Sequence, residues 1–105
     1  FGEENEVIWT VIQHSSLDLQ NKYLPKFIEA AKKGLLKKEC VALMQDRILC
    51  RMNKPQIYGS QGNIDKNGIF VPASIEDIDK VDQRRASMDM VPLKDYIKRM
   101  SRHKK

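Results

Sequence analysis

The stretch MQDRILCRMNKPQIYGSQ (residues 44–61) decides how this chain folds, because two charges interrupt an apolar helical pattern just before the pattern changes period. The two charges are Asp46 and Arg47. A buried charge is costly unless a partner faces it, so another part of the chain must pack against this helix. The stretch ends in three polar side chains spaced around a glycine, which are candidates for the facing element: Gln56, Tyr58 and Gln61.

Along the whole chain, hydrophobic periodicity predicts five helices and one β-hairpin. The helices are predicted over residues 2–14, 19–33, 37–51, 75–86 and 93–99. The third is apolar nearly all round and is therefore central. An Asn-Gly pair between two short segments of strand-like pattern predicts the hairpin over 56–72. The expected fold class is α+β, mainly helical, with about five helices and the hairpin packed on the third helix. We expect one domain over residues 1–100, followed by a basic tail at 101–105.

Four residues mark predicted helix ends or breaks. Asp18 is the expected N-cap of the second helix, and Ser74 that of the fourth. Gly34 suits the first position beyond the C-terminus of the second helix. Pro25 lacks a backbone N–H, which predicts a kink or a restart within that helix.

The first helix carries apolar groups on more than one side. Val7, Val11 and His14 share one face, whereas Trp9 and Gln13 lie together on another. This distribution predicts a helix covered from two directions. We expect a preceding segment of a longer domain, or a partner chain, to cover part of it.

The formal charge of +5 does not indicate a nucleic-acid surface, because it is concentrated at one end. From residue 94 onward the chain has six basic residues and one acid, whereas residues 1–93 have 13 of each sign. A basic terminus is more often solvated than a docking surface. No apolar run is long enough to span a bilayer. Cys40 and Cys50 would lie about 15 Å apart along one helix, which is too far for a disulfide. The cysteines therefore do not imply an oxidising compartment, and the sequence does not determine where the protein resides.

Established catalytic and metal motifs are missing from the sequence. No Cys-x-x-Cys or His-Glu-x-x-His pattern is present, so we predict no metal and no cofactor. Gly59-Ser60-Gln61-Gly62 differs from a nucleophile elbow in spacing, and it follows a helix rather than a strand. Arg84-Arg85-Ala86-Ser87 resembles a kinase recognition sequence, but the basic end of a helix is the simpler interpretation.

The remaining polar residues predict a pocket for a small polar or anionic ligand, which could be hydrolytic. The candidate catalytic residues are His14 as acid or base, Asp46 as its orienting carboxylate, and Tyr58. The candidate ligand-binding residues are Arg47, Gln56, Gln61 and Gln13. The planar fork of Arg47 suits a carboxylate or a phosphate.

Two other functions fit the same residues. One is a metal-independent ribonuclease or toxin-like domain in which His14, Arg47 and Tyr58 act on a phosphodiester. The other is a non-catalytic interaction module in which the polar cluster only stabilises the fold. A buried Asp often binds the N–H groups of a neighbouring loop, and structural ion-pair networks are common.

These segments resemble an uncharacterised bacterial family of unknown function. Its motifs are Trp-x-x-x-Gln-His, then Asp-Arg, then Pro-Gln-x-Tyr-Gly-Thr-Gln, which correspond here to residues 9–14, 46–47 and 55–61. Ser16 stands where the family usually has an acid, and Ser60 replaces the threonine while keeping the hydroxyl. Family members usually carry a further helical segment before the Trp motif, so the resemblance implies the C-terminal part of that domain. It implies a shared site but no activity.

Overall fold

The fold is α+β and mainly helical, as the sequence predicts. The computed structural model describes residues 2–101, with side chains from residue 7 onward. The described part contains five α-helices: α1 Gly2–Gln13, α2 Leu17–Lys32, α3 Lys38–Arg51, α4 Val81–Ser87 and α5 Leu93–Met100. Two short strands, β1 Gly62–Ile64 and β2 Phe70–Pro72, pair antiparallel with Asn63 opposite Val71. Of the predicted basic tail, residues 102–105 lie outside the described part.

The apolar core lies where α1, α2 and α3 meet. The helix α3 supplies its centre, because Val41, Met44 and Ile48 recur at helical spacing and are buried. From α1 and α2, Ile12 and Phe27 pack against this stripe. The predicted central position of the third helix is therefore confirmed.

The boundaries of α2 differ in part from the prediction. Ser16, rather than Asp18, is the N-cap, and its hydroxyl oxygen accepts the backbone N–H of Leu19 at 3.3 Å. The helix runs through Pro25 without a break. Because Pro25 is exposed, the carbonyl that it leaves unbonded can be hydrated instead of being buried. Gly34 follows the helix with φ at +74°, as predicted for a residue at this position.

One face of α1 is exposed in spite of its apolar side chains. Val7 and Val11 are 63% and 61% exposed, and His14 is also exposed. The side that faces the protein carries Ile12, which is buried, and Trp9, which is half-buried. The predicted covering of the outer face by a preceding segment or a partner chain stays a prediction.

The predicted hairpin is shorter than expected, and the predicted fourth helix begins later. Residues 56–61 form a loop rather than a strand, and Gln56 makes an isolated parallel bridge with Ile75. Ser74 does not cap a helix, because its carbonyl accepts the N–H of Gln56. The chain then passes Asp77, with φ at +44°, and a single 3-10 turn before α4 begins. The strand β2 packs against α5, and the loop, instead of the strands, reaches α3.

None of the helices in the part of the chain that the structure describes combines the length and the apolar character that a bilayer crossing requires.

Candidate functional site

Asp46 anchors the segment that follows α3, which we call the Asp46 loop (residues 56–61). Its side chain is fully buried. The oxygen Oδ1 accepts the backbone N–H groups of Ile57 at 2.9 Å and Tyr58 at 3.0 Å. The oxygen Oδ2 accepts the N–H of Ser60 at 3.0 Å and its hydroxyl at 2.6 Å. An ionised carboxylate offers about four acceptor positions, and these four bonds fill them.

Gln56 fixes the two ends of the same loop. Its side chain is fully buried, and its Oε1 accepts the N–H of Gln61 at 2.9 Å. Its Nε2 donates to the carbonyls of Gln61 at 2.8 Å and Ala73 at 2.9 Å. Gly59 allows the sharp reversal between them, because its φ of +73° is a conformation that other residues rarely adopt. Gln56 therefore holds backbone and is not available to a ligand.

Two arginines that are not among the residues predicted for the site hold the carbonyl side of the loop. Arg84 donates to the carbonyl of Ile57 at 2.8 Å and also to those of Glu76 and Asp77. Arg85 is fully buried and donates to the carbonyl of Tyr58 at 2.6 Å. Asp46 thus binds the N–H groups of residues 57 and 58, while the two arginines bind their carbonyls. The only signal of these two residues in the sequence is the Arg-Arg pair itself, for which the basic end of a helix is the simpler interpretation.

Arg85 also contributes to the packing beneath the site. Its Nε donates to the carbonyl of Val91 at 2.6 Å, and its guanidinium carbon lies 4.6 Å from the centre of the Tyr96 ring. Burial lowers the pKa of Arg85, while Tyr96 and three acids that include Asp46 act in the opposite direction. A kinase would find this arginine inaccessible, so the folded domain does not present the Arg-Arg-Ala-Ser sequence.

Beside the loop lies a cleft of about 350 Å³ between α1, α3, β2 and α5. Four polar residues line it: Gln13, Arg47, Ser60 and Gln61. Its apolar residues come from all four elements: Trp9, Leu43, Phe70, Tyr96 and Met100. Gly62 completes the lining, and none of these residues is acidic. Three of the four predicted ligand-binding residues therefore meet at one cleft.

The aromatic walls of the cleft are held in place. The indole N–H of Trp9 donates to the carbonyl of Cys40 at 2.8 Å. The hydroxyl of Tyr96 donates to the carbonyl of Ser60 at 2.9 Å, and its ring meets Phe70 edge-on with centroids 5.6 Å apart. Neither Trp9 nor Tyr96 was assigned to the site from sequence. The sequence feature that could have placed Trp9 at the site is that it shares a helix face with Gln13.

The polar residues of the cleft differ in whether their side chains make hydrogen bonds within the protein. Gln61 donates from Nε2 to the hydroxyl oxygen of Ser60 at 3.2 Å. Among the side chains from residue 7 to residue 101, Arg47 has no hydrogen bond or ion pair, and it is half-buried. Gln13 donates and accepts nothing through its side chain within the same range, although its carbonyl accepts Nε2 of Gln20. The cleft therefore presents one unpaired cation and two carboxamides.

The three predicted catalytic residues do not line the cleft. The side chain of His14 is exposed and, in the described part, has no hydrogen bond to Asp46 or Tyr58. Burial, followed by the charge of Asp46, raises the pKa of Tyr58, and Arg84 opposes this effect. Asp46 lies behind the Ser60 wall with all its acceptor positions filled. The predicted orienting of His14 by Asp46 thus has no contact that supports it, and the catalytic roles stay predictions.

Among the side chains that the structure describes, no group of three or more His, Cys, Asp or Glu is placed to hold a metal ion.

Comparison with known proteins places the chain in a family without assigning it an activity. No curated protein and no solved structure matches it. The match to the family of unknown function DUF6624 covers residues 4–103, and thus the α3 helix, the Asp46 loop and the whole cleft. On this match over nearly its full length, the chain belongs to DUF6624.

Proposed function

We propose that this domain binds a small anionic ligand in the cleft, with Arg47 as its charged partner. The observation that carries the proposal is the guanidinium of Arg47, which has no partner among the described side chains and is half-buried in a cleft whose described lining has no acid. An arginine removed in part from water gains most when an anion with two acceptor oxygens pairs with its planar fork. The carboxamides of Gln13 and Gln61 can donate to the same anion or accept from a neighbouring hydroxyl.

Binding has better support than hydrolysis. His14 would be the acid or base, but it does not line the cleft. Asp46 would orient it, but its four acceptor positions are filled by Ile57, Tyr58 and Ser60. Ser60 lines the cleft, but it is only 4% exposed, and its hydroxyl donates a hydrogen bond to Asp46. A nucleophile must reach the reacting atom, and Ser60 is placed to hold the loop. The proposal is therefore a binding function in which these groups shape the cleft.

The ribonuclease alternative lacks supporting contacts. It requires His14 and Tyr58 beside Arg47, whereas neither lines the cleft that Arg47 lines. The alternative of a purely structural network describes Asp46 well, since every bond of its carboxylate is internal. It is compatible with a ligand site next to that network.

The test is an NMR titration of isotope-labelled domain with three probes: acetate, inorganic phosphate and phenylacetate. We expect at least one probe to shift the backbone amides of residues 60–62 and the indole N–H of Trp9. The shifts should vanish in Arg47→Gln and persist in Arg51→Gln. Arg51 lies one turn along α3, and its guanidinium donates to the carbonyl of Ser15, outside the cleft. Equal shifts in both variants, or no shift with any probe, would refute the proposal.

A further inference from the structure

The lining of the cleft has two chemical kinds of side chain, and together they restrict the ligand. The polar kind includes the single cation and the two carboxamides. The apolar kind includes three aromatic rings, from Trp9, Phe70 and Tyr96. Phe70 is only 5% exposed, whereas Trp9 and Tyr96 are half-buried. A ligand that satisfies only the polar side chains would leave the exposed parts of Trp9 and Tyr96 facing water, at a cost that grows with their apolar area. The geometry therefore favours a ligand with an apolar body and one charged end.

The aromatic rings of the lining are held in place, so the cleft can select a ligand by its shape. Trp9 is fixed through Cys40, and Tyr96 is fixed through Ser60 and between Arg85 and Phe70. Aromatic rings prefer edge-on or offset contacts with other rings. A planar ring entering this cleft would thus meet preformed walls, and little conformational freedom would be lost on binding.

The charged end is better matched by a carboxylate than by a phosphate. Arg47 is the only cation that lines the cleft in the described part of the chain. A phosphate monoester carries close to two negative charges at neutral pH, so a single arginine leaves about half of that charge uncompensated. A carboxylate carries one charge, and its two oxygens match the guanidinium fork.

The size of the cleft indicates how large a ligand body it can enclose. Sites for small molecules range from about 300 to 1,000 Å³, so about 350 Å³ is near the lower end. One ring and a short acidic side chain fit this volume. We infer that the ligand is a small aromatic monocarboxylate, with its carboxylate on Arg47 and its ring among Trp9, Phe70 and Tyr96. This inference rests on the proposed function, and it adds the class of ligand.

The experiment compares four probes by the fluorescence of Trp9, which is the chain's only tryptophan and lines the cleft. Phenylacetate has both features, phenylacetamide has the ring without the charge, and acetate and inorganic phosphate have the charge without the ring. We expect phenylacetate to bind about tenfold or more tightly than each of the others, since a charge-assisted pair or a buried ring commonly contributes that factor.

Matched variants test the contribution of the apolar side chains separately. Met100 lines the cleft and is 43% exposed, whereas Met52 lies outside it and is 42% exposed. Met100→Ala should weaken phenylacetate binding about fourfold, as expected for one lost methylene-sized contact, without changing acetate binding. Met52→Ala should leave both unchanged.

The outcomes separate the inference from the proposed function. If acetate or phosphate binds as tightly as phenylacetate and requires Arg47, the anion site stands and the aromatic class is refuted. If phenylacetamide binds as tightly as phenylacetate, the charge has no role and both proposals fail. Both also fail if no probe binds in the millimolar range.

Discussion

Replacing Asp46 by Asn is the sharpest test of how the site is built, because it removes the charge and keeps the shape. The amide oxygen can still accept the N–H groups of Ile57 and Tyr58. The amide nitrogen, however, replaces Oδ2, which in the wild-type protein accepts two hydrogen bonds from Ser60. Two donors then face each other in a buried space.

The cost follows from counting these bonds. A hydrogen bond to a charged group contributes about 1.5–3 kcal/mol, and a buried donor left without an acceptor costs about 1–3 kcal/mol. The hydroxyl of Ser60 can rotate and accept from the new amide, so one of the two lost bonds is partly recovered. The remaining loss is the orphaned backbone N–H of Ser60, together with about 1 kcal/mol from each of the two bonds of Ile57 and Tyr58, which no longer reach a charged acceptor. We therefore expect Asp46→Asn to lower the free energy of unfolding by about 3–5 kcal/mol.

The assay is urea unfolding followed by circular dichroism, with Asp79→Asn as the control. Asp79 is exposed and, among the described residues, makes no hydrogen bond or ion pair. Its replacement should change stability by less than about 0.5 kcal/mol. Small domains have about 5–15 kcal/mol in total, so the Asp46 variant should unfold at a clearly lower urea concentration. If both variants unfold at the wild-type midpoint, Asp46 does not anchor the loop and the reasoning is refuted.

Two further predictions concern alkaline pH and the hairpin. Burial raises the pKa of both Tyr58 and Tyr96. Their neutral hydroxyls therefore contribute fully to the stability of the fold at pH values below the ordinary tyrosine pKa of about 10. This contribution to stability is lost as the pH rises through the raised pKa values. Unfolding midpoints measured against pH should therefore fall less steeply in Tyr58→Phe, and an equal fall would contradict this. In Gly62→Ala, the new Cβ would collide with the carbonyl of Val71 and lie 2.8 Å from Pro72 Cα. It should destabilise the domain more than Gly34→Ala, which meets no atom within 4 Å and costs only about 1–2 kcal/mol of backbone strain; equal urea midpoints would show that the hairpin tolerates the side chain.

The sequence predicted the helices well where local signals and burial agree. The α3 helix is central, with Val41, Met44 and Ile48 buried in the core, and Gly34 follows α2 at the position that its freedom of φ allows. The Asp46 loop was predicted as a strand because its side chains alternate in character. Its N–H groups are instead taken by a carboxylate eleven to fourteen residues earlier, and no local pattern reports such a bond.

The same limitation explains the delayed start of α4. Ser74 followed by acids is a good local N-terminal signal. The carbonyl of Ser74 and the N–H of Glu76 both bond to the backbone of Gln56, which keeps this segment extended. These hydrogen bonds to Gln56 therefore prevent a helix from starting at Ser74. Arg85 was misjudged for a related reason, since nothing in its neighbourhood along the chain indicates that it is buried beneath Tyr96.

For the site, the residues of the opening stretch divide into two sets with different tasks. Asp46 and Gln56 face the protein and bind loop backbone, whereas Arg47 and Gln61 line the cleft. Adjacent positions on a helix point in different directions, by about 100°, so Asp46 and Arg47 serve different surfaces although they are neighbours in sequence. This division explains why a charged pair is tolerated in a central helix. The aspartate is compensated internally by four donors, and the arginine lies at the boundary where a ligand can compensate it.

The division also determines how binding depends on stability. The Asp46 loop supplies Ser60 and Gln61 to the cleft, and Tyr96 is held there by the carbonyl of Ser60. One wall of the cleft is therefore positioned by bonds that also stabilise the fold, whereas the charge of Arg47 adds nothing to these internal bonds. We therefore expect a change at Asp46 to alter both stability and the shape of the cleft, and a change at Arg47 to alter only the proposed binding. Among the described side chains, no bond within the fold uses the charge of Arg47, and the proposed anion would supply the partner that this charge lacks.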